Sequence, residues 1–369
     1  MLLTTSSAGL IAASLTALYL LQSAPQEDLS GRSVQTESER SKAFAQRQTV
    51  LVVQEGPGKV VSFSTDDPLH RKVIEVGEKP HEIELTPDGK TAFVSNFGLL
   101  EVNHQIGTPG TTVSVLDVER GIERGKFTLP TSSAAPHGLK LRPPQHRELF
   151  TNAEQGSEEM IVFDADSGRV LRTFGLPQGV HNFIFDTDGA ALFAFTTENY
   201  VIRIDPDRGT IVASINISSP RGLAWTADHQ RLIVGGKNEL LFLNPTDLSI
   251  ESRFSDLGVG QIFYPAASQD GRWILAPAVL DGVVLAIDAA SGKIAHRIRT
   301  GSPLQVIPDG THAWISNVLV PPELLEPGAE PRMGGIDFMD LTTFTTIPIC
   351  DIPDANGIAV TPSRPPRQQ

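Results

Sequence analysis

Apolar and polar residues alternate in short stretches along most of the chain, and Gly, Pro, Asp or Asn breaks each stretch after a few residues. Such a pattern predicts β-strands joined by tight turns. No long 3.6-residue apolar repeat interrupts it. The segments also repeat. PHEIELTPDG (80–89) returns as PHGLKLRPP (136–144), VHNFIFDTDG (180–189) and PRGLAWTADH (220–229), and more loosely at 263–271, 302–310 and 355–362, seven copies in all. After each of the first six comes an aliphatic stretch (TAFVSN, ELFTNA, ALFAFTT, RLIVGG, RWILAP, HAWISN), a third segment ending in a turn such as IVFDADSG, and a closing strand such as RVLRTFGL.

Four strands per unit, at a period of about 40 residues, are the mark of propeller blades. The expected fold is therefore all-β: a seven-bladed β-propeller of four-stranded antiparallel blades over residues 48–362. Its closure is legible as well. The first unit opens with TVLVVQ (49–54), which matches a second strand, so its inner strand must come from ANGIAVTP (355–362). A C-terminal strand completing the N-terminal blade pairs an otherwise exposed edge and shuts the ring.

The units resemble the YVTN β-propeller repeat family in the Pro-x-x-Ile/Leu-x-x-x-Pro-Asp-Gly hairpin of PHEIELTPDG, the strand end of TAFVSN and the Asp-x-x-x-Gly turn of IVFDADSG. The resemblance spans about residues 48–362. It implies an exported seven-bladed propeller and leaves function open, since the family holds surface-layer-like proteins, lactonase-like enzymes and electron-transfer relatives.

Composition narrows the partners. A net charge of −13 and a pI near 5.1, with no Lys/Arg run, argue against nucleic acid. The uncharged run AGLIAASLTALYLL (8–21) predicts a signal peptide or N-terminal membrane anchor within residues 1–24, hence a secreted or periplasmic protein. Membrane contact is expected only through that segment if it is uncleaved. Residues 25–47 read as a polar linker and 363–369 as a tail. One cysteine, Cys350, permits no internal disulfide and reads as a buried structural thiol.

Candidate chemistry collects at one register position. In a propeller the inner strand of each blade lines the channel, so the residue entering each hairpin rings its mouth. Around the ring these are Asn356, His81, His137, His181, Arg221, then Phe263 and Ser302, with Gln261 or Gln305 as substitutes. Three of nine histidines on consecutive blades suggest a ligand site. They equally suit a divalent metal, whose bonds to imidazole nitrogen are roughly 2.0–2.1 Å, or a plain loop-capping role. The longest departures from the period, at 97–111, 153–159 and 318–334, fall between second and third strands on the same face. They bring Asn96, Glu101, His104, Asn152, Glu154 and Glu158 to the rim.

The ligand-binding set is accordingly His81, His137, His181, Arg221, Asn356, Asn96, Asn152 and Glu154, with His81, His137 and His181 as the metal candidates. No haem c motif, nucleotide-binding motif or recognised nucleophile motif is present. Two readings follow: an exported propeller that binds a small molecule or protein on this face, or a small-molecule enzyme there, either a lactonase-like hydrolase or a metal-dependent oxidoreductase.

Overall fold

The computed structural model describes residues 47–100, 103–320, 325, 332 and 334–362. The predicted signal or anchor, almost all of the linker, Glu101 and the tail lie outside the described residues. Among the described residues there is no helix. Seven four-stranded antiparallel sheets form the blades of a β-propeller, and an eighth, two-stranded sheet decorates one of them.

Blade 1 is built from both ends of the domain. Ala355–Val360 pairs as its inner strand with Thr49–Gln54, followed outward by Lys59–Ser64 and Asp67–Glu75. The predicted closure is thus the observed one. Thr49 N–H donates to Thr361 Oγ1 at 2.8 Å and Thr361 N–H to the Thr49 carbonyl at 2.9 Å, sealing the seam. The inner strands of blades 2 to 7 are Pro80–Leu85, Ser133–Leu141, Val180–Phe185, Leu223–Trp225, Ala266–Ala267 and Pro303–Asp309.

The burial pattern explains why second strands read as continuous apolar runs. Thr49–Gln54, Thr91–Asn96 and Trp273–Ala278 are buried on both faces, because each blade is sandwiched between two others. Outer strands such as Thr210–Asn216 are largely exposed. Apolar clusters fill the spaces between neighbouring blades. Leu51, Val53 and Val60 of blade 1 meet Ile83, Val94 and Leu116 of blade 2, and Phe150 and Met160 of blade 3 meet Phe183 and Leu192 of blade 4. Each such side chain contributes about 1.5–3 kcal/mol on burial, so the ring is held blade to blade.

The Asp-x-x-x-Gly motifs are turns and nothing more. Asp164 Oδ1 accepts from the Ser167 amide at 2.8 Å, and Gly168 N–H closes on the Asp164 carbonyl at 2.9 Å with φ of 71°. Cys350 is buried, and that burial pushes its thiol up to about 12.

One expected loop is a strand. Residues 153–156 of the predicted rim loop extend Glu148–Gly156, because the inner strand of blade 3 starts early and Ser133, Ala134 and Pro136 pair with Gly156, Gln155 and Ala153. The segment at 97–111, in contrast, folds into the added hairpin of Leu99–Leu100 and Asn103–Gly107. Of the third insertion, Val320 bridges to Arg332, and Arg332 Nη1 donates to the Leu280 carbonyl at 3.0 Å.

Candidate functional site

The inner strands carry a repeated irregularity where the histidines stand. Pro80 pairs with Asn96 but Ile83 with Val94, so His81 and Glu82 together face one residue, Ser95. The same offset places His137 and Gly138 opposite Asn152, and His181 in the step between the Val180–Thr196 and Asn182–Phe195 pairs. Blades 1 and 7 show it too, at Asn356–Gly357 and at Leu304. These are β-bulges, which re-aim side chains at the rim of a closed sheet structure. Second-strand side chains replace the ladder bonds that a bulge interrupts: Ser95 Oγ accepts from the Glu82 amide at 3.0 Å, Asn152 Oδ1 from the Gly138 amide at 2.8 Å, and Ser316 Oγ from the Gln305 amide at 3.3 Å.

The bulges bring the three predicted histidines into a column. The ring centroids of His81 and His137 are 4.1 Å apart, tilted by 38°, and those of His137 and His181 are 4.1 Å apart, tilted by 36°. Phe97, from the start of the blade 2 insertion, packs edge-on against His137 at 5.0 Å, His104 at 5.1 Å and His81 at 5.9 Å. The column is enclosed: His81, His137 and His181 are 3%, 0% and 4% exposed. Two imidazolium ions at this spacing would repel by roughly 4 kcal/mol at an effective dielectric near 20, which disfavours charge on two neighbouring rings at once.

Glu154 is the hub of the group. Carried inward by the strand extension of blade 3, its carboxylate lies 3.1 Å from His181 Nδ1, 3.7 Å from His104 Nδ1 and 3.9 Å from His137 Nδ1. Donor atoms of His137, Glu154 and His181 all lie within 4.8 Å of one another. His81 stands outside that trio; its Nδ1 is 3.8 Å from Glu82 Oε1. Asp354, half-buried beside blade 1, adds a further carboxyl near His81. Burial lifts it above the ordinary aspartate range, against the Gly56 amide that it accepts at 2.9 Å and the pull of His81.

The other predicted site residues divide by what holds them. Asn152 is completely buried between the first-strand bulges of blades 3 and 4. Besides accepting from Gly138, its Nδ2 donates to the Val180 carbonyl at 2.8 Å and the His181 carbonyl at 3.3 Å, so it ties the His137 bulge to the His181 bulge. Asn96 Oδ1 accepts from the Gly77 amide at 2.9 Å, and its Nδ2 donates to Thr112 Oγ1 and Ser114 Oγ at 2.9 Å. Asn317 repeats that loop-fastening role on Gly301. Glu158 Oε2 accepts from the Gly179 amide at 2.8 Å.

Asn356 is buried, and its carbonyl accepts from Ser316 Oγ at 3.3 Å. Arg221 occupies the equivalent position of blade 5, half-buried, with its amide on the Gly235 carbonyl at 2.7 Å. Among the described residues no hydrogen bond or ion pair joins its guanidinium to the histidines. Phe263 is half-buried, Gln261 donates to the Ser219 carbonyl at 3.2 Å, and Ser302 is wholly buried.

Sequence reasoning passed over a second polar group, one layer further along the channel. Glu82 is 4% exposed and accepts from Asn182 Nδ2 at 2.9 Å. Glu84 accepts from the Leu141 amide at 3.0 Å and lies 3.5 Å from Lys140 Nζ. Burial lifts the Glu84 carboxyl above its usual range, opposed by Lys140; burial also works against the Lys140 ammonium, but Glu84 and Glu82 hold it above the ordinary lysine value. The available signal was the pair of acids in PHEIEL, two carboxylates two residues apart in an otherwise apolar inner strand.

No family model and no curated protein matches the chain. Among solved structures, the chain is similar to a chain of Kuenenia stuttgartiensis hydrazine synthase. The TM-score is 0.57 and the identity 18%, over 72% of this chain and 88% of that one. At that identity the likeness is one of propeller fold.

Proposed function

We propose that the protein is an exported propeller that binds a divalent first-row transition metal at its channel mouth, through His137, His181 and Glu154. The observation that carries this reading is Glu154, a half-buried carboxylate ringed by imidazoles, with donor atoms of the trio within 4.8 Å. Two neutral imidazoles and one carboxylate suit zinc, iron or copper. Closing on one ion requires the donors to approach to about 3–3.5 Å of one another, a contraction of roughly one side-chain adjustment. The near-complete burial of the three histidines favours an ion or small molecule over a protein partner, which would need exposed groups. Export rests on the apolar segment 8–21 and on the YVTN-like repeats.

A second reading, a metal-dependent enzyme, draws support from the donor count. Three protein ligands leave coordination positions open, as catalytic sites do. A bound ion would supply Lewis acidity there. Phe97 and the stacked His81 would exclude water from one side, and His104, half-buried and 3.7 Å from Glu154, could take or give a proton at the rim.

The test is equilibrium dialysis of the purified protein against Zn²⁺, Co²⁺ and Fe²⁺, followed by elemental analysis. One ion per chain is expected, reduced at least about tenfold in affinity by His181→Ala or Glu154→Gln and little changed by His81→Ala. Protein that stays metal-free, or metal content indifferent to both variants of the trio, would sink the proposal.

A further inference from the structure

A cavity of about 370 Å³ occupies the channel next to the histidine column, and all seven blades line it. Its walls are mostly aliphatic, from Ile83 and Leu85 round to Val306 and Ile358. Two carboxyl side chains and one amine face it: Glu82, Glu84 and Lys140. When all are ionised the charge is one negative in excess, because Lys140 is shared between two carboxylates. Glu82 is held in place by Asn182 and has His81 Nδ1 at 3.8 Å; among the described residues no lysine or arginine lies within ion-pair distance of it. Half-buried Tyr264 lines the same space, while the rings of Phe183 and Phe195 are each 1% exposed and pack behind the wall; Phe195 and Tyr264 meet edge to face, 6.5 Å between centroids.

We propose that this cavity is a binding site for a small organic cation, an ammonium group carried on a short apolar body. Each part of the wall selects for that chemistry. The excess carboxylate disfavours anions and favours a cation. The face of the Tyr264 ring attracts an ammonium through its quadrupole. The aliphatic remainder favours a ligand with methyl or methylene groups over a hydrated ion. The volume stands at the lower end of ligand pockets, room for roughly ten non-hydrogen atoms or fewer. Glu84 and Lys140 keep 22% and 27% of their side chains accessible to water, so both present surface to a solute in this space.

The proposal does not rest on the metal. Its test uses choline, whose quaternary nitrogen has no lone pair and cannot join a metal's coordination shell. Titration calorimetry in EDTA-containing buffer should show one choline per chain. The neutral isostere 3,3-dimethylbutan-1-ol, and choline on Glu82→Gln, should each bind at least about tenfold more weakly. Lys140→Met, which removes the built-in competing cation, should tighten choline binding, a result that a merely structural lysine would not produce. Far-UV circular dichroism checks that the variants fold, and if Glu82→Gln does not, Lys140→Met decides alone. No heat with choline at millimolar concentration, equal binding of the neutral isostere, unchanged affinity in a folded Glu82→Gln, or unchanged or weaker binding in Lys140→Met would each overturn it.

Discussion

Replacing Asn152 by alanine separates the two bulges that carry His137 and His181. The side chain is fully buried and makes two short bonds, from the Gly138 amide at 2.8 Å and to the Val180 carbonyl at 2.8 Å, with a longer one to the His181 carbonyl at 3.3 Å. Alanine leaves a buried donor and a buried acceptor without those partners. Each costs about 1–3 kcal/mol, so the loss is roughly 2–6 kcal/mol, the lower end applying if water enters the space left behind. For a domain of this size that corresponds to a fall in Tm of roughly 3–9 °C. Asn152→Asp should fare no better: it keeps the acceptor for Gly138 but turns a carboxylate oxygen toward the Val180 carbonyl. Because the asparagine fixes the relative position of two proposed ligands, cobalt affinity followed by visible absorption should fall about 10–100-fold alongside stability. A melting temperature within about 1 °C of the parent, with unchanged cobalt affinity, would refute the idea that Asn152 couples the two bulges.

Truncation after Pro353 removes Ala355–Val360, including buried Ile358 and Ala359, and strips Thr49–Gln54 of its inner partner. Several kcal/mol of burial go with it, so the thermal transition should broaden and drop, and a synthetic 354–362 peptide should restore it in part; a truncated protein melting like the parent would contradict the seam. Glu148 is held below the ordinary glutamate value of 4.5 by its hydrogen bonds to Arg172 and, at 3.0 Å, to Arg142, despite some burial. A carboxyl whose value is depressed on folding stabilises above 4.5 and loses that contribution as pH falls below it. Glu148→Gln should therefore lower stability by about 1 kcal/mol at pH 7 and flatten the acid limb in urea melts between pH 5 and 3; an unchanged acid slope would show that the network is not linked to folding.

Blade number, strand roles and the seam could be read from the chain because they follow from repetition. A period of turns and apolar runs is written locally, and TVLVVQ declares itself a second strand by its neighbours. The bulge at His81 cannot be read that way, since one extra residue on the inner strand shows only against its partner Ser95. Stacking of His81, His137 and His181 follows from three such bulges on three blades. Glu154 was placed near them for a reason the structure revises: a strand extension, paired to Ser133–Pro136, delivers it rather than a loop. The Glu84–Lys140 pair joins residues of different blades, and single-strand alternation cannot show which inner-strand groups share a channel.

The seam also sets an order of events. Gly357 packs against the His81 backbone so closely that a Cβ there would come within 2.6 Å of the His81 carbonyl oxygen. The wall beside the histidine column is therefore supplied by a strand made some 300 residues after Thr49, its hydrogen-bonded neighbour. During synthesis, blades 2 to 7 can stack as their strands emerge, but the channel stays an open arc until Ala355–Val360 arrives. Long loop closures of this kind come late in folding. Loading of the channel cavity, whose wall includes Ile358 to Val360, then becomes a report on completion: a ligand that recognises the closed ring distinguishes finished molecules from arrested ones.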